Sequence, residues 1–190
     1  LFNICSNGTC RPSEMFMRQY YRNAKNINML NEIILLNLRG RIFSCIRQNM
    51  PIPINRRFQI VGNLLDIVDE HVFKRHPSAI FESILLLQKH PELQNMSAKT
   101  LRALWRAQEV MNAEFRRNEK HKHQFLSILT QQRGIIDAFR RLNRYGILGT
   151  YIPAFGRISC QMQHDLFHVY TVDEHILTVL RNLRRFALPE

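Results

Sequence analysis

The sequence predicts an all-α protein, a multi-helix bundle with one small β-hairpin insertion. Glycine and proline number only seven each in 190 residues, and so few turn formers argue against a β-sandwich or a β-barrel. Apolar residues recur at steps of three and four along most of the chain, which is the period of an amphipathic helix. With 45% hydrophobic and 22% charged residues the composition is globular, which excludes a disordered tail and a fibrous repeat.

The first helical pattern runs from about Ser13 to Cys45 and predicts one long helix or two joined helices, with Gly40 as a candidate break. An amphipathic helix turns its apolar face toward a core. Here that face is predicted from residues at helical spacing: Met17, Tyr21, Ala24, Ile27, Leu30, Ile34 and Leu38.

A short alternating pattern follows two prolines and predicts the hairpin near residues 55–67. Phe58 and Ile60 give the alternation of the first strand, Gly62-Asn63 suits a tight turn, and Leu64, Leu65 and Ile67 belong to the second strand. This hairpin is the only sheet that the pattern predicts.

Helical periodicity then continues almost to the end of the chain. The predicted helices are a central one between Pro77 and Pro91, one capped by Ser97 with a stripe reaching Phe115, one around 125–129 that ends near Gly134, one over 135–142 that Gly146 closes, and one from Thr171 to about Phe186. Residues 149–159 hold Pro153 and Gly156 and are predicted to be a connector. The last helix opens with a capping box, in which Glu174 reaches back to the Thr171 amide.

The chain is strongly basic, with a net charge of +12 and an isoelectric point near 10.2. Such a charge attracts nucleic acid, nucleoside triphosphates or an acidic protein surface without selecting among them. Pairs such as Arg140-Arg141 lie at predicted helix ends, where cations complement the helix dipole. No apolar window is long enough for a membrane span and no signal peptide opens the chain, so a soluble, cytoplasmic protein with free thiols is expected. The two ends look like cuts from a longer protein.

Common catalytic signatures are missing, but metal-competent side chains are dense near the C-terminus. Six of them fall within twelve residues: His164, Asp165, His168, Asp173, Glu174 and His175. An exposed pair of histidines four residues apart binds metal weakly without a third ligand. We therefore do not expect a self-contained metal site, and the two carboxylates at 173 and 174 are explained by helix capping.

Two runs of sequence carry a family resemblance. The stretch Tyr145–Arg157, followed by Gln161–His175 with its Tyr-Thr-Val-Asp-Glu-His segment, resembles the central region of the bifunctional uridylyltransferase and uridylyl-removing enzymes that modify the nitrogen regulatory protein PII. The resemblance continues upstream in residues 69–73, 75–79, 85–93 and 140–149, and more loosely in 18–25. It covers most of the chain.

The resemblance implies a multidomain enzyme with a nucleotidyltransferase domain, a helical segment, an HD-type phosphohydrolase domain and two glutamine-sensing ACT domains. Residues 1–150 would be the helical domain after the transferase, and residues 151–190 a connector and the first helix of a truncated hydrolase domain. The implied partners are PII and UTP, with glutamine as an effector through the absent C-terminal domains. Membrane and nucleic acid are not expected as partners.

The same resemblance implies that no catalytic residue lies in residues 1–190. Mg²⁺ or Mn²⁺ would serve the full-length enzyme, with none expected in this piece. His175 would be the first metal ligand of the hydrolase, whereas His164-Asp165 spells an HD pair at the wrong position and is not assigned that role. The chain alone is expected neither to transfer nor to remove UMP.

Tyr21 and Lys25 are the candidates for a nucleotide-binding wall, because helical segments after such transferase domains usually complete the nucleotide pocket. Four residues apart, they share a helix face and offer an aromatic surface and a phosphate-seeking cation. Alternatively, Tyr21 lies in the core and Lys25 in solvent. Two other functions remain open: a basic helical nucleic-acid-binding module, against which the dispersed arginines argue, and a purely structural spacer between catalytic domains.

Overall fold

The computed structural model describes residues 11–44, 50–162 and 170–187, and these are mostly helical. The helices in these ranges are α1 (Pro12–Ser44), α2 (Val72–Arg75), α3 (Ala79–Lys89), α4 (Ala98–Arg106), α5 (Ala113–Arg117), α6 (Glu119–Leu129), α7 (Ile135–Arg144), α8 (Ile147–Tyr151), α9 (Pro153–Ile158) and α10 (Val172–Ala187). The strands are β1 (Ile52–Pro53), β2 (Phe58–Val61), β3 (Leu64–Ile67) and β4 (Asn95–Met96). The helical class is confirmed, with a larger sheet than predicted.

The sheet has four strands in the order β1-β2-β3-β4, so the prediction of a lone hairpin is wrong. The hairpin itself is confirmed: β2 and β3 are antiparallel with Phe58 opposite Ile67, and Gly62 turns the chain at φ 65°. β4 joins β3 in parallel, with Leu65 opposite Met96. β1 and β4 have two residues each, too few to show an alternation that a sequence pattern reveals.

Helix α3 is the centre of the core, as predicted. Phe81 is fully buried, and its ring meets Tyr151 edge-on at 4.8 Å and Phe125 at 5.5 Å between centroids. Aromatic pairs in such tilted geometry stabilise a core beyond their buried area. The helix begins at Ala79, so Pro77 precedes it instead of lying in its first turn.

The predicted single helix from Ser97 to Phe115 is wrong beyond Arg106. Its start is confirmed, since the Thr100 amide donates to Ser97 Oγ at 3.1 Å. After α4 a 3₁₀ turn, Ala107–Val110, redirects the chain. Asn112 then caps α5, accepting from the Phe115 amide at 2.9 Å. An asparagine that can cap a new helix competes with continuation of the old one.

The predicted connector over residues 149–159 is helical. Pro153 occupies the first position of α9, where its fixed φ suits a helix start. Gly149 and Gly156 let α8 and α9 approach closely: a Cβ built on Gly156 would lie 2.5 Å from the Gly149 carbonyl oxygen. Gly146 adopts the predicted left-handed conformation at φ 75°. Gly149 and Gly156, which lie in the predicted connector, are therefore packing residues between two helices.

Helix α1 is continuous through Gly40 and turns a different face to the protein than predicted. Met29 and Ile33 are its buried apolar residues. Four members of the predicted apolar face are exposed instead, with exposed fractions of 60% for Ile27, 42% for Leu30, 53% for Ile34 and 50% for Leu38. Within the described ranges, no helix combines the length and the hydropathy needed to cross a bilayer.

Candidate functional site

A cleft of about 720 Å³ is the candidate site, and we call it the α1–α10 cleft. It is lined by Tyr21, Ala24, Lys25, Asn28 and Glu32 of α1, by Arg140, Asn143 and Arg144 of α7, by Cys160 and Thr171, and by Asp173 and Glu174 of α10. Its volume is within the range that holds small ligands in proteins. The cleft therefore joins the first and the last described helices of the chain.

Three polar side chains fix α1 beside this cleft, at a spacing of seven residues. Arg18 Nη2 donates to the Arg157 carbonyl at 2.5 Å, at the C-terminal end of α9. Lys25 Nζ donates to Asn143 Oδ1 at 3.0 Å. Glu32 Oε1 accepts from Asn95 Nδ2 at 2.6 Å. Seven residues are close to two helical turns, so the three ties lie along one face of α1.

Asn143 is the polar centre of the cleft. Its side-chain oxygen accepts from Lys25, and its Nδ2 donates to Asp173 Oδ2 at 3.0 Å and to Glu174 Oε1 at 3.2 Å. The residue is only 3% exposed. A buried amide whose oxygen and nitrogen are both bonded is held in one orientation.

Asp173 fixes the start of α10. Besides Asn143, its carboxylate accepts from the Cys160 amide at 3.2 Å and from Ser159 Oγ at 3.4 Å. Cys160 presents that amide from a left-handed backbone at φ 59°, and its buried thiol is free, as predicted. The helix starts next to the predicted capping box, but Glu174 binds Asn143 as its side-chain partner, so the two carboxylates tie α10 to α7.

The cleft holds equal numbers of cations and carboxylates, with different partners. Its lining includes the cations Lys25, Arg140 and Arg144 and the carboxylates Glu32, Asp173 and Glu174. The carboxylates accept hydrogen bonds from neutral amides and from a hydroxyl. Among the described residues, none of the three cations is in a salt bridge.

A second hydrogen-bond network joins Glu32 of α1 to Tyr145, the residue after α7, through Asn95. The Tyr145 hydroxyl donates to Asn95 Oδ1 at 3.1 Å, while Asn95 Nδ2 donates to Glu32. Burial, assisted by the negative charge of Glu32, raises the pKa of Tyr145 to about 12. The tyrosine thus remains a hydrogen-bond donor at every physiological pH.

Tyr21 and Lys25 both lie on the cleft wall. Tyr21 is half-buried and meets Tyr20 edge-on at 5.5 Å, and Lys25 is half-buried and bonded through Nζ. Tyr21 is thus not fully in the core and Lys25 is not fully solvated, and a role of the two residues in nucleotide binding stays a prediction. Arg140, Asn143 and Arg144 line the same cleft and are not among the residues that the sequence predicts for it. The spacing of four between the two arginines is the available signal, whereas the Arg140-Arg141 pair suits a helix end.

His175 lies on the exposed side of α10, and its amide donates to the Thr171 carbonyl at 2.9 Å. The other histidines of the C-terminal cluster, His164 and His168, and the intervening Asp165 lie outside the described residues. In the ranges that are described, no three or more histidine, cysteine, aspartate or glutamate side chains converge as a metal site. The metal role of His175 stays a prediction.

Comparison with known proteins identifies the family. Residues 58–151 match the family model described as the uridylyltransferase GlnD third domain. The chain is 55% identical over 180 residues to a bifunctional uridylyltransferase/uridylyl-removing enzyme of Nitrosospira multiformis, covering 95% of this chain and 20% of that protein. The chain is a homologue of these enzymes.

Other relatives carry the same description. The uridylyltransferase/uridylyl-removing enzyme of Aromatoleum aromaticum is 52% identical over 95% of this chain and 21% of its own length, and that of Bordetella pertussis is 45% identical over the whole chain and 22% of its own. The chain therefore spans about a fifth of the length of the curated relatives that it matches. No solved structure matches it.

Proposed function

We propose that this chain is the helical segment of an enzyme that transfers UMP from UTP to a tyrosine of PII and hydrolyses it off again. Residues 1–150 follow the nucleotidyltransferase domain, and residues 151–190 connect to the HD-type hydrolase domain. The single observation that carries the proposal is homology over 95% of the chain to enzymes that bear both activities in their name. The segment itself is non-catalytic, and the enzyme acts in the cytoplasm under the control of glutamine.

The α1–α10 cleft forms one wall of the UTP site in this proposal. Lys25, Arg140 and Arg144 offer cationic donors without ion-pair partners in the described ranges, and phosphate oxygens form strong charge-assisted hydrogen bonds with such groups. Tyr21 presents a half-buried ring on the same wall. Binding by these residues orients the triphosphate for attack by the tyrosine hydroxyl, and their charge offsets the charge that develops on the leaving pyrophosphate.

The exposed apolar side of α1 packs on the transferase domain in this proposal. Ile27, Leu30, Ile34 and Leu38 follow one another at steps of three and four, and each is at least 42% exposed. A continuous apolar stripe of this kind marks an interaction surface. Its burial against the preceding domain would hold the opposite, polar side of α1 beside the nucleotide.

The described residues fit only part of a hydrolase metal site. His175 offers an imidazole on an exposed helix face, and a complete site needs partners from outside the described ranges. A divalent ion bound there, Mg²⁺ or Mn²⁺, supplies an acidified water for phosphodiester hydrolysis. The contribution of this chain is to hold the His175 imidazole in place through the bonds of Asp173 and Glu174 to Asn143.

Steady-state kinetics of the full-length enzyme test the cleft. Lys25→Ala is expected to raise the KM for UTP at least tenfold in PII uridylylation, since a hydrogen bond to a charged group contributes roughly 1.5–3 kcal/mol. Asn31→Ala, an exposed position on the same helix, is the matched control and should leave KM unchanged. An unchanged KM in Lys25→Ala would instead favour a purely structural spacer.

A further inference from the structure

Asn143 lies between two elements to which the proposed function gives different roles. On one side it accepts a hydrogen bond from Lys25 of the nucleotide wall. On the other it donates to Asp173 and Glu174, the residues directly before His175. One buried amide thus contacts a cation from α1 and two carboxylates from the first turn of α10.

The hydrogen bond that the Asn143 side chain accepts and the two that it donates strengthen each other. A cation at the amide oxygen polarises the amide and strengthens its N–H groups as donors, because hydrogen bonds in a chain are cooperative. The carboxylates on the far side carry the opposite charge and gain from that polarisation. Loss of the Lys25 contact therefore weakens the hold of Asn143 on α10.

A nucleotide competes for the same lysine. Lys25 Nζ is bonded to a neutral amide oxygen at 3.0 Å, and a phosphate oxygen is a stronger acceptor for an ammonium group than a neutral carbonyl is. A triphosphate in the α1–α10 cleft would draw Nζ toward itself and bring negative charge near Asp173 and Glu174. Both effects loosen the first turn of α10.

We propose that Asn143 is a positioning residue that couples the nucleotide wall to helix α10, so that UTP bound at Lys25 loosens the turn that holds His175. The inference rests on the proposed function for the roles of Lys25 and His175, and adds the link between them. Its consequence is that UTP binding disfavours UMP removal, which keeps the two opposing reactions from running together. By linkage, tight positioning of α10 disfavours UTP to the same extent.

Hydrogen exchange of the full-length enzyme, read by mass spectrometry over residues 172–187, tests the coupling without relying on activity. Saturating UTP with Mg²⁺ and no PII is expected to raise amide exchange in the first turn of α10 about fivefold, the lower end of ordinary coupling between sites. Asn143→Ala is expected to show the raised exchange already without UTP and no further response to it. The control Asn182→Ala, at an exposed position of the same helix, should respond as the wild type does.

Two further variants keep the test decisive if Asn143→Ala, at a buried position, fails to fold. Glu174→Gln keeps the size of the side chain and removes its charge, and Lys25→Met removes the cation; both should reduce the exchange response to UTP. If Lys25→Met and Glu174→Gln both show the same rise of amide exchange with UTP as the wild type, the coupling is overturned. The proposed nucleotide wall is not affected by that result. A UTP KM that is normal in Lys25→Met overturns the wall itself, and the coupling with it.

The KM and kcat of the two reactions give the second readout. In Asn143→Ala the kcat of UMP removal should fall at least fivefold, and UTP should no longer inhibit that reaction. The KM for UTP in transfer should fall, by up to about fivefold, because α10 no longer opposes UTP binding. Equal losses in both reactions would indicate general damage to the fold and overturn a positioning role.

Discussion

Tyr145 is a buried tyrosine whose hydroxyl has a raised pKa. Burial and Glu32 raise its pKa to about 12 from 10.0, so the unfolded chain loses this proton first as the pH rises. The contribution of this hydroxyl to the free energy of unfolding is therefore expected to be fully present below pH 10. It should be lost, about 2–3 kcal/mol in all, as the pH rises through 12.

Urea unfolding at pH 8, 10 and 11 measures this effect against Tyr145→Phe. The variant lacks the hydroxyl bonded to Asn95 and should be less stable by about 1 kcal/mol at pH 8. Because it has no proton to lose at this position, the gap between the two proteins should narrow above pH 10 and reverse in sign near pH 11, where the wild type has lost more than the hydroxyl contributes. A constant gap would show that the hydroxyl ionises at its ordinary pKa.

Gly156 is the position where adding one methyl group should cost most for its size. A Cβ there would lie 2.5 Å from the Gly149 carbonyl oxygen, which is backbone and cannot rotate away. Gly156→Ala is expected to lower the free energy of unfolding by about 1–3 kcal/mol. Gly40→Ala is the matched control, since nothing lies within 4 Å of its Cβ, and should stabilise α1 by about 0.5–1 kcal/mol. The measurement is the melting temperature of both variants. Melting temperatures that shift in the same direction would contradict the close packing of α8 and α9.

Helical spacing predicts that Tyr21 and Lys25 share a face of α1, and both line the cleft. Spacing does not predict the cleft itself, because residues of α7 and α10 complete it. Asn143 could not be found in this way, since a single asparagine inside a helix belongs to no periodic pattern and gains its role only from residues 118 and 30 positions away. Asp173 and Glu174 fit a local capping box in the sequence, which gives no sign of their distant partner Asn143.

At the scale of the element, α1 shows where periodicity misleads. Its sequence is apolar on two sides, and the stripe that helical spacing predicts as the core face is the exposed one. The buried side carries Met29 and Ile33 together with the polar ties of Arg18, Lys25 and Glu32. A face that mixes apolar and charged residues does not look like a core face until its partners are known.

Two adjacent isoleucines of α1 test this orientation. Ile33 is 6% exposed and Ile34 is 53% exposed, so the same substitution should have different effects at the two positions. Ile33→Ala is expected to cost about 2–4 kcal/mol of unfolding free energy in the isolated chain, and Ile34→Ala less than about 0.5 kcal/mol. Chemical denaturation of the two variants decides which face of α1 packs on the core. A larger loss of unfolding free energy in Ile34→Ala would support the face predicted from the sequence.

At the scale of the whole molecule, the class was predictable and the details of the sheet were not. Few turn formers and long helical periodicity indicate helices whatever their packing. β4 is two residues long and pairs with β3 across 30 intervening positions, so its existence depends on the tertiary fold. The hairpin β2-β3, by contrast, was predicted because its turn and alternation are local.

Residues 1–190 by themselves are expected neither to transfer nor to remove UMP. Neither the carboxylates that a nucleotidyltransferase uses nor the later ligands of an HD site are supplied by the family motifs recognised in this sequence. Incubation of PII with UTP, Mg²⁺ and the isolated chain should therefore leave the intact mass of PII unchanged, whereas the full-length enzyme should add one UMP to each modified tyrosine. Uridylylated PII should likewise keep its mass with the chain and lose UMP with the full-length enzyme. Turnover by the isolated chain above a buffer control would show that a catalytic site lies within these residues, and inactivity of both proteins would contradict the proposed reaction while leaving the fold and the homology in place.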